Sequence, residues 1–114
     1  MNLLDVRDAF LEVVDDVYHF RAPSDKPEKY IVWGETGRAA SFPADDEQQE
    51  IAIAGLAYYY TTTEYDGTFD DICDELTEAG ISWSLGSIGY DDSLGQIVYE
   101  IAWEVPIGQG KLYS

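Results

Sequence analysis

The stretch that decides the fold is "IAIAGLAYYYTTT", residues 51–63. Side chains alternate between the two faces of a strand, so a half-buried strand should read apolar, polar, apolar. Here one face carries Ile51, Ile53, Gly55, Ala57 and Tyr59, and the other carries Ala52, Ala54, Leu56, Tyr58 and Tyr60. Neither face is polar before the threonines. The segment therefore predicts a long strand, roughly 50–62, with something packed on each side. Three consecutive tyrosines cannot all point into one core. Either Tyr59 or the Tyr58/Tyr60 pair meets solvent, a helix or another chain.

Working outward, residues 65–80, "YDGTFDDICDELTEAG", predict a helix. Thr68 suits its N-cap, with Asp71 at the capping-box position. Phe69, Ile72, Cys73 and Leu76 form an apolar stripe, acids fill the first turn where the helix dipole favours them, and Gly80 suits its end. An N-terminal helix is expected over 3–14, with Asn2 as its cap and Leu3, Leu4, Arg7, Phe10, Leu11 and Val14 clustered at helical spacing. "VYHF" (17–20) reads as a short strand, the Pro-bearing "RAPSDKPEK" as a loop, and "YIVWGE" (30–35) as a strand. "TGR" then turns into a short or irregular piece, and the acidic 41–50 segment is a connection or strand entry.

The last third predicts a hairpin around "DDSLG". With Tyr90 opposite Gln96, Leu85 faces Ile101, Trp83 faces Trp103 and Ile81 faces Val105. That register gathers Ile81, Trp83, Leu85, Ile97, Tyr99, Ile101, Trp103 and Val105 on one face, leaving Ser82, Ser84, Glu100 and Glu104 on the other. The expectation is one α+β domain over 1–114, a mainly antiparallel sheet of about four to five strands with two helices on one face.

Composition narrows the function. Six basic residues stand against 23 acidic ones, a formal net charge of −17. Between Arg38 and Lys111 lie 15 acidic residues and no Lys or Arg. Such a surface does not neutralise a phosphate backbone, which argues against ordinary nucleic-acid binding. No apolar run approaches the ~20 residues of a membrane span. The start is broken by acids every few residues, unlike a signal peptide. With Cys73 as the single cysteine, no internal disulfide forms, and a reducing, cytoplasmic setting is expected.

The catalytic search yields no constellation. His19 reads as structural. Cys73 sits on the stripe of an acidic helix, where negative neighbours suppress the thiolate. "GSIGYDDSLG" lacks the lysine and following helix of a phosphate loop. "DGTFDDICDELT" puts Phe69 and Ile72 at calcium-loop positions and ends in Thr77 rather than a bidentate Glu. No enzyme, cofactor or metal site is expected. The chemistry then lies in surfaces: 16 aromatics, nine of them tyrosine, exceed what a small core needs, and tyrosine suits protein interfaces.

The order of motifs adds a resemblance. A short helix leads to "VYHFRAPSDKPEKYIVWGE", then an acidic connection, a long strand, "FDDICDELTEAGISW" and "YDDSLGQIVYEIAWEV". This pattern, over nearly the whole chain, resembles the tail-terminator or tail-completion proteins of long-tailed phages and prophages of Gram-positive bacteria. The resemblance implies an α+β structural protein that assembles as a ring, typically hexameric, on the tail tube. It ends tube polymerisation and joins the tube to the head–tail connector. Assembly in the host cytoplasm and a place at the virion tail–head junction go with it.

On this reading Leu56, Tyr58, Tyr59 and Tyr60 are subunit-interface candidates, because a ring joins two different patches of each chain. Asp45, Asp46, Glu47, Asp91 and Asp92 are acidic candidates for a DNA-repelling lumen or a docking surface. The alternatives are an acidic DNA mimic that occupies a DNA-binding protein's cleft, and a small-molecule binding domain or enzyme with a polar pocket.

Overall fold

The computed structural model describes residues 1–39, 50–108 and 111–113. Its elements are α1 (Leu3–Leu11), β1 (Val17–His19), β2 (Tyr30–Arg38), β3 (Glu50–Thr61), α2 (Thr68–Glu78), β4 (Ser82–Asp91) and β5 (Gln96–Gly108). The strands form one five-stranded sheet in the order β1-β2-β3-β5-β4. β1 runs parallel to β2, and every other pairing is antiparallel. The expected α+β architecture is the one observed.

Both helices pack on one side, the inner face. There Ile31 and Trp33 of β2, Ile53, Ala57 and Tyr59 of β3, and Ile101, Trp103, Val105 and Ile107 of β5 join Leu3, Val6 and Phe10 of α1 and Ile72 and Leu76 of α2. The glycine inside β3 has a reason. Trp103 lies flat over Gly55, where an added Cβ would come within 2.1 Å of the indole and 2.5 Å of the Gly34 carbonyl. Among the described residues the buried indole N–H of Trp103 has no hydrogen-bond partner.

Several local expectations are corrected. The buried face of α1 is Leu3, Val6, Ala9 and Phe10, whereas Arg7 and Leu11 are exposed. The helix therefore presents the 3, 6, 10 row to the sheet, rotated from the Leu4–Arg7–Leu11 row. Asn2 does cap it: the Leu4 N–H donates to Asn2 Oδ1 (2.9 Å), and the Asn2 N–H to Asp5 Oδ2 (2.8 Å). Regular helix stops at Leu11, and Val14 closes one further turn through its N–H to the Phe10 carbonyl (2.9 Å).

β2 does not end at Glu35. It continues to Arg38 through an irregularity between Glu35 and Gly37. At α2 the N-cap residue is Gly67, and Asp66 does the capping in place of Thr68: the Thr68 N–H donates to Asp66 Oδ1 (3.0 Å). The helix ends as expected, with Gly80 at φ +81°. The Gly80 and Ile81 N–H groups donate back to the Thr77 (3.1 Å) and Leu76 (2.9 Å) carbonyls.

The hairpin register holds from Trp83↔Trp103 to Leu85↔Ile101, then shifts by one at Gly86, so that Tyr90 pairs with Ile97 and Asp91 with Gln96. The extra residue of the bulge keeps Ile88 and Tyr90 on the Tyr99/Ile97 side.

Candidate functional site: the uncovered face of the sheet

The other side of the sheet, the outer face, has no helix on it among the described residues. Alternation and pairing turn to it Val32 and Gly34 of β2, Ala54, Leu56, Tyr58 and Tyr60 of β3, Val98, Glu100, Ala102 and Glu104 of β5, and Ser84, Ser87 and Gly89 of β4. Leu56, Tyr58 and Tyr60 are half-buried there. Of the interface candidates, then, these three lie together on an accessible surface.

Tyr59 does not. Its side chain is 0 % exposed, its ring stacks on Tyr99 at 5.9 Å, and its hydroxyl donates to Asp66 Oδ2 (2.7 Å). No partner can reach it in this fold. Asp66 also accepts from the Thr61 hydroxyl (2.7 Å) and pairs with Lys29 Nζ (3.3 Å). Burial would raise its carboxyl pKa, but the hydrogen bonds from the Thr68 N–H, Tyr59 and Thr61 win and hold it well below the usual carboxylate range. The same burial, with the carboxylate beside it, pushes the Tyr59 phenol far up. The aspartate that opens the calcium-like pattern is thus a structural hub.

One end of the outer face is closed by tyrosines. Tyr30 stacks on Tyr60 at 4.5 Å and meets Tyr18 at 6.1 Å. Its hydroxyl donates to Gln96 Oε1 (3.4 Å), and Gln96 Nε2 donates to the Glu28 carbonyl (3.0 Å), tying the β1–β2 loop to β5. Burial first, then Tyr60, Asp91 and Tyr18, push the Tyr30 phenol up to about 12. Tyr60 is raised too, by burial and then by Tyr58 and Asp91.

Beyond that end the face opens into shallow grooves. One, of about 440 Å³, has Ala54, Leu56, Ser82, Ser84 and Ala102 in its lining. A second, of about 480 Å³, runs between Tyr58, Val98, Glu100 and the Asp91–Asp92 corner. Phe20 forms the rim of a third, lying over Gly34 so closely that a Cβ there would meet its ring at 2.5 Å. Phe20 is 62 % exposed with φ +72°, a conformation no sequence pattern announced.

The acidic candidates divide. Asp45, Asp46 and Glu47 lie outside the described residues. Asp91 shapes the hairpin turn: its Oδ1 accepts from the Ser93 hydroxyl (2.7 Å) and the Ser93 (3.0 Å) and Leu94 (3.2 Å) N–H groups, bonds that lower its pKa. Asp92 is exposed beside it. Glu100, which sequence reading placed only as a polar strand position, stands between these acids and the tyrosines, and Ser87 Oγ donates to it (2.9 Å).

Elsewhere, His19 Nε2 lies 2.7 Å from Glu35 Oε1, and the Tyr113 hydroxyl donates to Glu35 Oε2. Burial, which would raise the Glu35 pKa, is outweighed by these bonds. His19 stacks against Phe20 (4.1 Å) and Trp33 (4.5 Å), so it braces the β1 edge. Burial, then Asp70 and Asp74, push the Cys73 thiol up to about 11. Among the described residues no three His, Cys, Asp or Glu side chains are grouped to hold a metal ion, and no helix is long and apolar enough to cross a membrane.

Against known proteins, the chain matches no family model and no curated sequence.

Proposed function

We propose that this chain is a structural assembly protein, the ring-forming cap that ends a phage tail tube and joins it to the head–tail connector. One observation carries the reading: an accessible apolar sheet face, with Leu56, Tyr58 and Tyr60 set among small residues, while both helices of the described residues lie on the opposite side. An apolar face of this kind marks a protein contact. The motif order and the α+β fold support the ring cap in particular. The outer face is where the chain is built into the assembly, against a neighbouring subunit or against the tube or connector protein. The acidic surface fits a ring that DNA traverses without being gripped. Assembly takes place in the host cytoplasm, and the finished ring sits at the virion tail–head junction.

Light scattering of the purified chain behind a sizing column, at low and high salt, tests this. A ring-sized species that salt promotes, as screening of a −17 charge predicts, supports the cap. A strict monomer that also ignores tube protein overturns it.

A second reading, the DNA mimic, has one observation in its favour: a body with extents of 48 × 24 × 23 Å on whose outer face the charged strand residues, among those described, are carboxylates. The apolar floor of that face, where a mimic needs rows of carboxylates, weighs against it.

A further inference from the structure

We infer that the outer face seats a cationic, amphipathic segment of a different protein, and not a second copy of this chain. The inference rests on reading this face as the assembly surface and names the chemistry of what covers it. The floor is apolar and aromatic: Leu56, Tyr58 and Val98, with Phe20 at the rim. The charged strand residues turned to it, among those described, are all carboxylates: Asp91, Glu100 and Glu104. Arg38, the cation nearest in the strand order, pairs with Ile53 and belongs to the inner face.

A second copy would bring either a like face, setting carboxylates against carboxylates on an apolar floor where poor solvation makes repulsion costly, or, in a ring, a different patch of the same acidic chain. Two whole chains, each at −17, add to that repulsion. A segment with Lys or Arg flanking an apolar stripe has the opposite character. Its apolar side chains cover Leu56 and Val98, its cations reach Glu100 and the Asp91–Asp92 corner, and a guanidinium suits the tyrosine rings. The inner face shows the geometry, since amphipathic helices already cover that side of the same sheet. The ring neighbour is then met through another part of the surface.

The two contacts respond to salt in opposite senses: self-association is promoted by it, and docking on the outer face is weakened. The probe is a synthetic amphipathic helix of about 18 residues, roughly 27 Å long, with a leucine stripe flanked by arginines. Its control carries glutamate in place of each arginine. Titration calorimetry against the whole chain should show saturable 1:1 binding of the arginine peptide alone. Leu56→Ser with Tyr58→Ser should weaken it at least about tenfold. Asp92→Asn with Glu100→Gln should weaken it about fivefold, whereas Asp70→Asn with Asp74→Asn, which removes the same charge from α2, should change it less than about twofold.

No binding, equal binding of the glutamate peptide, or equal loss from the α2 pair overturns the inference. Light scattering of the same variants keeps the two readings apart. Absence of any ring overturns the cap and leaves a site-specific peptide result standing. Indiscriminate peptide binding overturns the docking inference and leaves a ring standing.

Discussion

Tyr58 and Tyr59 are adjacent, chemically identical and opposite in fate. Tyr59 enters the inner face, where helices, the Tyr99 ring and the Asp66 carboxylate enclose it. Tyr58 stands on the outer face, between an apolar floor and Glu100. The difference lies in what the rest of the chain supplies. A buried phenol needs an acceptor, and Asp66 provides one while capping α2 and binding Thr61. The outer tyrosines have a sheet beneath them and, among the described residues, no helix above. Two faces of one strand with similar composition thus become a core on one side and an open surface on the other.

The largest effect expected from this contrast is on stability. Tyr59→Ala should cost about 4 kcal/mol, as for other large aromatics deleted from cores. Tyr58→Ala should cost about 1 kcal/mol, because its side chain is only partly buried. Urea unfolding of the two variants measures the gap, and equal losses would break the comparison.

Asp66→Ala comes next, at about 3 kcal/mol. It leaves the Tyr59 and Thr61 hydroxyls without their acceptor and α2 without its cap. The pH dependence has a definite sign. The folded-state pKa of Asp66 lies below its ordinary 3.8, so its contribution is fully present above that value and is lost as the pH falls below it. Stability measured from pH 6 down to pH 2 should fall less steeply in Asp66→Asn than in the parent.

The smallest contrast concerns two glycines. Gly55→Ala drives a methyl into the Trp103 ring and the Gly34 carbonyl, both fixed in the core, and should cost about 3 kcal/mol. Gly34→Ala meets only the exposed Phe20 ring, which can swing aside, and should cost less than about 1 kcal/mol. Thermal melts of both variants check it.

Much of this was legible in the sequence, because period-two patterning is local. The alternation of residues 51–60 showed that one tyrosine set would leave the core, and the Trp83/Trp103 register followed from matching two strands. Which set leaves was not legible, since it depends on which face the helices choose. The register shift at Gly86 escaped for a related reason. The bulge sets Leu85 and Ile88 three residues apart on one face of β4, and a strict period of two carried past it misplaces Ile88 and Tyr90. The sequence placed Asp66 only at the start of the α2 segment, because Tyr59, Thr61 and Lys29 meet its carboxylate only once β2, β3 and α2 are packed together. Phe20 folds over Gly34 through a left-handed backbone that neither residue's neighbours announce.

The most direct test of the two-face account is the Leu56→Ser, Tyr58→Ser double variant, followed by urea unfolding and by calorimetry with the arginine–leucine helix. The account predicts a stability within about 2 kcal/mol of the parent and peptide binding weakened at least about tenfold. A stability loss as large as that of Tyr59→Ala, or peptide binding at the parent's strength, would contradict it.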